Sequence, residues 1–547
     1  MRFAIDLGVP RQLPLATHPD RRAHEPQPRR HQPEQTALYG VLLEQLETFL
    51  ALSQASGRVV PRFVERELRA YLECGLLQFG FLRIRCEACG HDRLVAFSCK
   101  GRGFCPSCVG RRMADTAAHL VDRVLPEVPV RQWVLSLPWA LRYRLAYDRR
   151  LCSDVLGLFI RTVFGALRRR ARDLYPTHAH KPDCGAVTFV QRFGDALNLN
   201  LHCHTLVLDG VYLGNKRGEI RFHPLPPPSD GEIERITVVL ARRLQRLLER
   251  RGFFEAEVPS PDLCALESSG VPDIADASVR GRIATGPHAG QRVLRRGDRI
   301  DVEDVRHSPR SRCANIGGVS LHANVAVPAH DRKRLERLCR YVARPPIATE
   351  RLSLLPDRRL LYRLKHRWRD GTTHVVFERL ELIEKIVALI PPPRAHLVRY
   401  HGVLAPAARR RARVVSDRRE PTAAVAAAAA TALPTSLSAP PASAVASPPR
   451  RSPTIGQAAR TRTALSAPDP TSTLRARRLS WSELMRRVFL VDLLKCPRCQ
   501  GRMRILAAIV QPETIARILN QRGLSARAPP TQPPDPELLQ ASTPDLP

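Results

Sequence analysis

The chain has 547 residues, of which 87 are Lys or Arg and 52 are Asp or Glu, so it carries a formal charge of +35. Its 44% hydrophobic content and its length allow about three or four domains of ~150 residues, which excludes a wholly disordered chain. No run reaches the roughly 18 apolar residues that a membrane helix requires, and the excess of positive charge favours a polyanion, nucleic acid first, because each Lys or Arg that neutralises a phosphate releases condensed counterions.

Residues 1–33 are rich in Pro, Arg, His and Gln and read as a disordered basic arm. They contain no apolar core of a secretory signal, so the expected home is the cytoplasm, where the 14 cysteines are better read as metal ligands and core thiols than as disulfides. Leu38, Leu42, Leu46 and Leu50 recur at helical spacing, and a second helix starts at Pro61 and stops at Gly75 with the stripe Val64, Leu68, Tyr71 and Leu72. A cysteine-rich segment runs from Cys86 to Cys108 and leads into a helix through Met113 to Leu125. These elements define a module over residues 34–126.

The main domain, expected over residues 127–402, opens with a strand from Trp133 to Leu137. The stretches AVTFVQRF and LHCHTLVLDG read as the two strands of a hairpin. A helix rich in arginine follows near Arg242 to Arg251, then a strand from Ser320 to Val327, then a helix from about Asp331 to Ala343 that Pro345 and Pro346 end. Residues 403–478 shift to Ala, Pro, Ser, Thr and Arg without period and read as a disordered basic linker. A small unit with a further CxxC pair occupies 479–522, and a Pro-rich tail fills 523–547.

Two CxxC pairs, Cys86 with Cys89 and Cys105 with Cys108, are separated by fifteen residues, the spacing of a four-thiolate zinc ribbon. Such a site supplies folding energy to a segment too short to bury its own core, so the expected role is a structural Zn2+. His91 and Cys99 lie within the loop as substitute ligands. Lys100, Arg102, Arg111 and Arg112 make this module a surface for holding DNA. Cys496 and Cys499 form half a site with no later cysteine to complete it.

On a strand, residues two apart share a face, so His202 and His204 project together while Cys203 points into the opposite layer. Two neutral imidazoles can hold a divalent metal and leave positions open for phosphate oxygens if a third polar group joins them. Gln191 is the first candidate for that group, with Asp195, Asn198 and Asn200 behind it. Tyr341 lies in the helix RLERLCRYVARPP, and a phenolate that attacks phosphorus conserves the bond energy of a phosphodiester. Arg344, about one turn later, is placed to lower the phenol's pKa or to clamp a phosphate. Tyr362 and Tyr400 are reserve nucleophiles, and His322 is an additional ligand or a structural histidine.

The order of these motifs resembles the rolling-circle insertion-sequence transposases of the HUH superfamily, in particular the IS ninety-one group. The similar stretches are FVERELRAYLECG, FSCKGRGFCPSCVGRRMADTAAHLVD, VPVRQWVLSLPWALRY, FVQRFGDALNLNLHCHTLVLDGVY, LCRYVARPPIA and CPRCQGRMRILAAI. The resemblance implies an α+β fold: an antiparallel-sheet HUH nuclease core of ferredoxin-like topology after an N-terminal helical, zinc-ribbon module. It implies that His202 and His204 bind the catalytic metal and that Tyr341 is the nucleophile. It also implies a DNA partner, single-stranded or melted at the element ends, which is left with a 5′-phosphotyrosine link and a free 3′ hydroxyl. Mg2+ or Mn2+ suits hard phosphate oxygens.

Many relatives carry two tyrosines four apart on this helix, whereas Arg337 occupies the earlier position here. The chain therefore resembles a single-tyrosine variant, in which a second subunit of a homo-oligomer or the primed 3′ hydroxyl replaces the second nucleophile. A nucleoid-associated location follows from the same resemblance. The rival readings are an inactive zinc-dependent DNA-binding protein derived from a transposase and a metal-dependent nuclease that uses water.

Overall fold

In the computed structural model the first two helices, α1 (Ala37–Ala55) and α2 (Arg62–Glu73), form where the leucine spacing places them. Val64, Leu68, Tyr71 and Leu72 are the buried stripe of α2. The structure describes residues 32–415 except 58, 177–180, 215–218, 254–268, 287, 298–310 and 369, and in addition 483, 487, 492 and 494–540. The expected N-terminal arm, apart from its last two residues, and nearly all of the expected linker lie outside the described residues.

Strands β1 (Phe81–Cys86) and β2 (Asp92–Ala96) make an antiparallel hairpin, and α3 (Pro106–Arg123) follows. Helix α3 begins earlier than the sequence pattern indicates, because Pro106 at its first turn has no N–H to satisfy and starts the helix directly after Cys105.

The core then runs β3 (Val130–Ser136), α4 (Trp139–Tyr147), α5 (Arg149–Leu174), β4 (Gly185–Phe193) and β5 (Leu199–Leu208). It continues through β6 (Gly210–Gly214), β7 (Ile220–Pro224), α6 (Asp230–Glu249), α7 (Val271–Arg280), β8 (Leu294–Gly297), β9 (Cys313–Ile316) and β10 (Val319–Val327). Next come α8 (Arg332–Val342), β11 (Leu352–Leu354), β12 (Leu360–Arg363), β13 (Thr372–Phe377), α9 (Arg379–Leu389) and β14 (Val398–Gly402).

Six strands form one antiparallel sheet in the order β14-β4-β5-β3-β10-β9. Within it, β3, α5, β4, β5, α6 and β10 trace a split β-α-β-β-α-β unit of ferredoxin-like order. Period-two alternation gives the sheet two different faces. One carries Trp133, Leu135, Cys203, Val207 and Leu321 and buries them against α5 and α6. The other carries Phe189, Leu206 and Val130, and α3 and α8 cover it with Leu120, Val121, Leu335, Leu338 and Val342. Helix α8 achieves this because its apolar residues fall at spacings of three and four, a single stripe on a basic helix.

The end of the chain is not a free-standing unit. Strand β15 (Met503–Ile509) pairs antiparallel with β1, from Phe81 opposite Ile509 to Cys86 opposite Met503, and α10 (Pro512–Gln521) packs Ile515 and Leu519 against Leu77 and Phe81. Described residues of the expected Pro-rich tail bond to α1, where the Gln532 N–H donates to the Leu43 carbonyl at 3.2 Å and the Asp535 N–H to Thr48 Oγ1 at 3.0 Å. Folded chain also continues past the expected boundary at residue 402, since Val403, Leu404 and Val414 are buried in the core. No described helix is long and apolar enough to cross a membrane.

Candidate active site and metal centres

The histidine strand β5 lies between β3 and β4, so its side chains are fixed from both sides. His202 stands opposite Ser136 and Gln191, and His204 opposite Val134 and Phe189. Both rings therefore rise from the face that α8 covers, as the period of two requires, while Cys203 is buried in the opposite layer. A break in register between Gln191 and Phe193 lies beside them, a device that re-aims side chains next to functional sites.

The two Nε2 atoms converge to 3.1 Å. His202 Nδ1 faces the Asn200 carbonyl at 2.9 Å, and His204 Nδ1 faces the Gln132 amide at 2.6 Å. Each ring is thus held from its far nitrogen with its near nitrogen directed at a shared point, the arrangement that orients imidazole ligands. Burial pushes His202 down to about 4 and His204 well below its ordinary value, with the Arg344 charge acting in the same direction. Both rings are therefore neutral at pH 7, the state a metal ligand needs.

Gln191 donates from Nε2 to the Val342 carbonyl at 2.7 Å, which ties the end of α8 to the histidine hairpin. Its Oε1 is buried with no hydrogen-bond partner. An orphaned acceptor on the strand position facing His202 fits a third metal ligand. The donor set of two imidazoles and an amide oxygen is thus compatible with a divalent ion.

Tyr341 packs its ring edge-on against His204, with centroids 5.9 Å apart. Arg344 Cζ lies 4.5 Å and Lys365 Nζ 4.4 Å from the Tyr341 centroid, so two cations flank the phenol ring. Lys365 has no motif to announce it, and only the return of the chain after β12 brings it there. His322 shares the row of the sheet that contains Val134 and His204, one strand beyond. The reserve tyrosines are placed differently. Tyr362 is buried against Phe377 in the separate sheet β11-β12-β13-β8, and Tyr400 lies on edge strand β14 opposite Val187.

The expected single ribbon of Cys86, Cys89, Cys105 and Cys108 is corrected by the structure, which divides these thiols between two clusters: Cys74, Cys99, Cys105 and Cys108 in one, Cys86, Cys89, Cys496 and Cys499 in the other. The reason is the β1-β2 hairpin. Its strands, at about 3.3 Å per residue, carry the Cys86 knuckle to one end and return Cys99 to the other, beside the end of α2. Cys99, held in reserve by sequence, is a member of a cluster, whereas His91 is in neither. Cys74 was missed, although a lone cysteine at a helix end twelve residues before a CxxC was the available signal.

In the first cluster the Sγ separations are 3.7 Å for Cys74–Cys105 and Cys74–Cys108 and 3.4 Å for Cys99–Cys108. Four sulfurs at ~2.3 Å from a tetrahedral zinc stand about 3.8 Å apart, so the cluster is sized for that ion. The Cys99 N–H points at Cys74 Sγ and the Gly101 N–H at Cys99 Sγ, both at 3.3 Å, which supports thiolate charge. The Glu67 carboxylate accepts from the Gly103 N–H, and a Cβ at Gly103 would stand 2.7 Å from Glu67 Oε1, so a side chain there would displace that carboxylate. Lys100, Arg102, Arg111 and Arg112 are all exposed around this cluster.

Comparison with known families gives two matches. Residues 44–137 match the family described as "Transposase zinc-binding domain", and residues 185–412 match the one described as "Putative transposase". The first segment contains all four cysteines of the Cys74 cluster, and the second contains His202, His204 and Tyr341. Together they span more than half of the residues. No curated protein and no solved structure matches the chain.

Proposed function

The chain belongs to the IS ninety-one family of transposases and contains a structural zinc-binding domain, and from that premise we propose that it cleaves and rejoins one DNA strand at insertion-sequence ends through a covalent link to Tyr341. The observation that carries this reading is the convergence of the His202 and His204 Nε2 atoms, 3.1 Å apart, with the Tyr341 ring packed edge-on against His204.

His202, His204 and Gln191 Oε1 would hold a divalent ion, Mg2+ or Mn2+, whose chemistry is to polarise a phosphate oxygen. The Tyr341 oxygen gives up its proton and attacks phosphorus. The bond from phosphorus to the 3′ oxygen breaks, and that oxygen leaves as a hydroxyl after taking a proton. The DNA is then joined to the protein by a 5′-phosphotyrosine, and attack by a 3′ hydroxyl reverses the step. Arg344 and Lys365 flank the reacting tyrosine and face the phosphate's negative charge. Gln191 acts as a positioning residue as well, since its bond to the Val342 carbonyl fixes the helix end next to the nucleophile.

Single-stranded or melted DNA fits this reading, because a buried phosphate site of this kind needs a strand free to bend into it. With Arg337 at the earlier tyrosine position, one subunit offers one nucleophile on α8. A second cleavage then draws on a partner copy or on the 3′ hydroxyl already made.

The test is incubation with a labelled single-stranded oligonucleotide from the element's own end, with and without Mn2+ or Mg2+, followed by denaturing electrophoresis. A metal-dependent adduct that survives denaturation and disappears in Tyr341→Phe and His202→Ala is the expected result. Cleaved DNA without an adduct, still formed by Tyr341→Phe, would establish a nuclease that uses water, and binding without cleavage would leave a DNA-binding protein.

A further inference from the structure

The Cys86, Cys89, Cys496 and Cys499 cluster lies outside the histidine site and is only half covered by the matched families, since neither segment reaches Cys496 or Cys499. We propose that these four thiolates bind a second zinc ion that clasps the C-terminal segment onto the N-terminal module, and that this clasp steadies the helix carrying Tyr341 through Arg487.

All four Sγ atoms lie within 4.8 Å of one another, and the separations across the two pairs, Cys86–Cys499 and Cys89–Cys496, are both 3.5 Å, close to the ~3.8 Å of a tetrahedral zinc tetrathiolate.

The two pairs are built alike, although 407 residues separate Cys89 from Cys496. In each, the N–H four residues after the first cysteine donates back to that cysteine's carbonyl: Gly90 to Cys86 at 3.1 Å, and Gln500 to Cys496 at 2.9 Å. Both donors are left-handed, with φ of 69° at Gly90 and 60° at Gln500. Glutamine takes up such a conformation at a cost, which the turn that closes this knuckle requires.

Gly501 stands so close that a Cβ there would lie 3.1 Å from Cys499 Sγ and 3.3 Å from Cys86 Sγ. The two knuckles therefore leave little room for a side chain at Gly501. The apolar support is slight, with Ile84, Cys86, Cys496 and Met503 as its buried members. Metal binding there adds to the hold that the segment gains from pairing β15 with β1 and packing α10 on Leu77 and Phe81.

Arg487 lies nine residues before Cys496. Its guanidinium pairs with Asp122 on α3 and, at 2.7 Å, with Glu336 on α8. Arg487 thus bridges the zinc-module helix and the nucleophile helix. Cys89 and Cys499 are exposed while Cys74, Cys105 and Cys108 are buried, so the second ion is the one that chelators reach first.

Elemental analysis of the purified full-length chain should find two zinc ions, and the double variant Cys496→Ser with Cys499→Ser should retain one. A colorimetric chelator should remove zinc from the parent in a fast and a slow phase of equal size. Hydrogen exchange during the fast phase should show loss of protection in β1, β15 and α8 while β4 and β5 keep theirs. One zinc in the parent, or two in the double variant, overturns the second site. Fast zinc loss that leaves β1 and β15 protected overturns the clasp, and unchanged α8 overturns the link to Tyr341. The chelation experiment needs only the parent protein, so it decides the matter even if the double variant fails to fold.

Discussion

Individual residues at the histidine pair are set by what they hydrogen-bond. One assignment of tautomers makes the contacts a consistent chain, in which Gln132 donates to His204 Nδ1, His204 Nε2–H to His202 Nε2, and His202 Nδ1–H to the Asn200 carbonyl. Rotation of the Gln132 amide turns its oxygen toward His204 and frees both Nε2 lone pairs for a metal. His-x-His was legible in the sequence because strand period alone puts the two rings side by side. Gln132 was not, because it belongs to a neighbouring strand whose register only the sheet fixes. Burial also sets an acid limit. His202 is held down to about 4, against ~6.5 in the unfolded chain, so the unfolded chain takes up a proton that the folded one refuses. That contribution to stability is complete above about pH 6.5 and is lost as the pH falls toward 4. In urea titrations without added Mg2+ or Mn2+, the unfolding midpoint should drop between pH 7 and 4.5, and His202→Gln should lessen the drop. An equal drop in the variant would rule this cause out.

At the level of elements, α8 connects the zinc module to the histidine sheet. Its stripe of Leu335, Leu338, Cys339 and Val342 is buried against the sheet and α3. Arg332, on its first turn, donates to the Val121 carbonyl in the last turn of α3 and to the Leu125 and Pro126 carbonyls just beyond it at 2.8 and 3.0 Å, which satisfies the C-terminal end of that helix. The stripe was readable from its spacing. The cap was not, because an arginine among many offers no pattern. Leu338 is 2% exposed, so Leu338→Ala should lower unfolding free energy by about 2–5 kcal/mol, the cost of lost transfer energy and a residual cavity. Urea unfolding measures it, and a loss under ~1 kcal/mol would show that α8 is not seated as described. A second buried device lies between β3 and β5, where Arg131 and Asp209 pair at 2.7 Å with side chains 4% and 11% exposed. Arg131 also donates to the Ala323 carbonyl at 3.0 Å, so one guanidinium holds three segments together.

The molecule as a whole is dominated by its charge of +35. If six to ten phosphates are neutralised on binding, affinity for single-stranded DNA should fall by about 300- to 15,000-fold between 50 and 200 mM salt, with log Kd linear in log salt. Fluorescence anisotropy with a labelled oligonucleotide reads this directly, and an affinity indifferent to salt would contradict a phosphate-led interface. Reversing the exposed Arg111 and Arg112 to Glu should weaken binding across all sequences alike, because such contacts position the strand without reading bases.

What the sequence determined by itself was everything fixed by local geometry. Strand alternation put His202 beside His204, helical spacing gave α8 its buried stripe and Tyr341 its place along it, and each CxxC pair specified a knuckle. The tertiary structure decided how these parts combine. A knuckle provides only two thiolates, and a zinc site needs four within about 3.8 Å. Which pairs meet therefore depends on where the β1-β2 hairpin sends its ends and on the pairing of β15 with β1. Lys365, Gln132 and Arg487 likewise reach the site or its helix by long-range folding, through contacts whose closure no local period records.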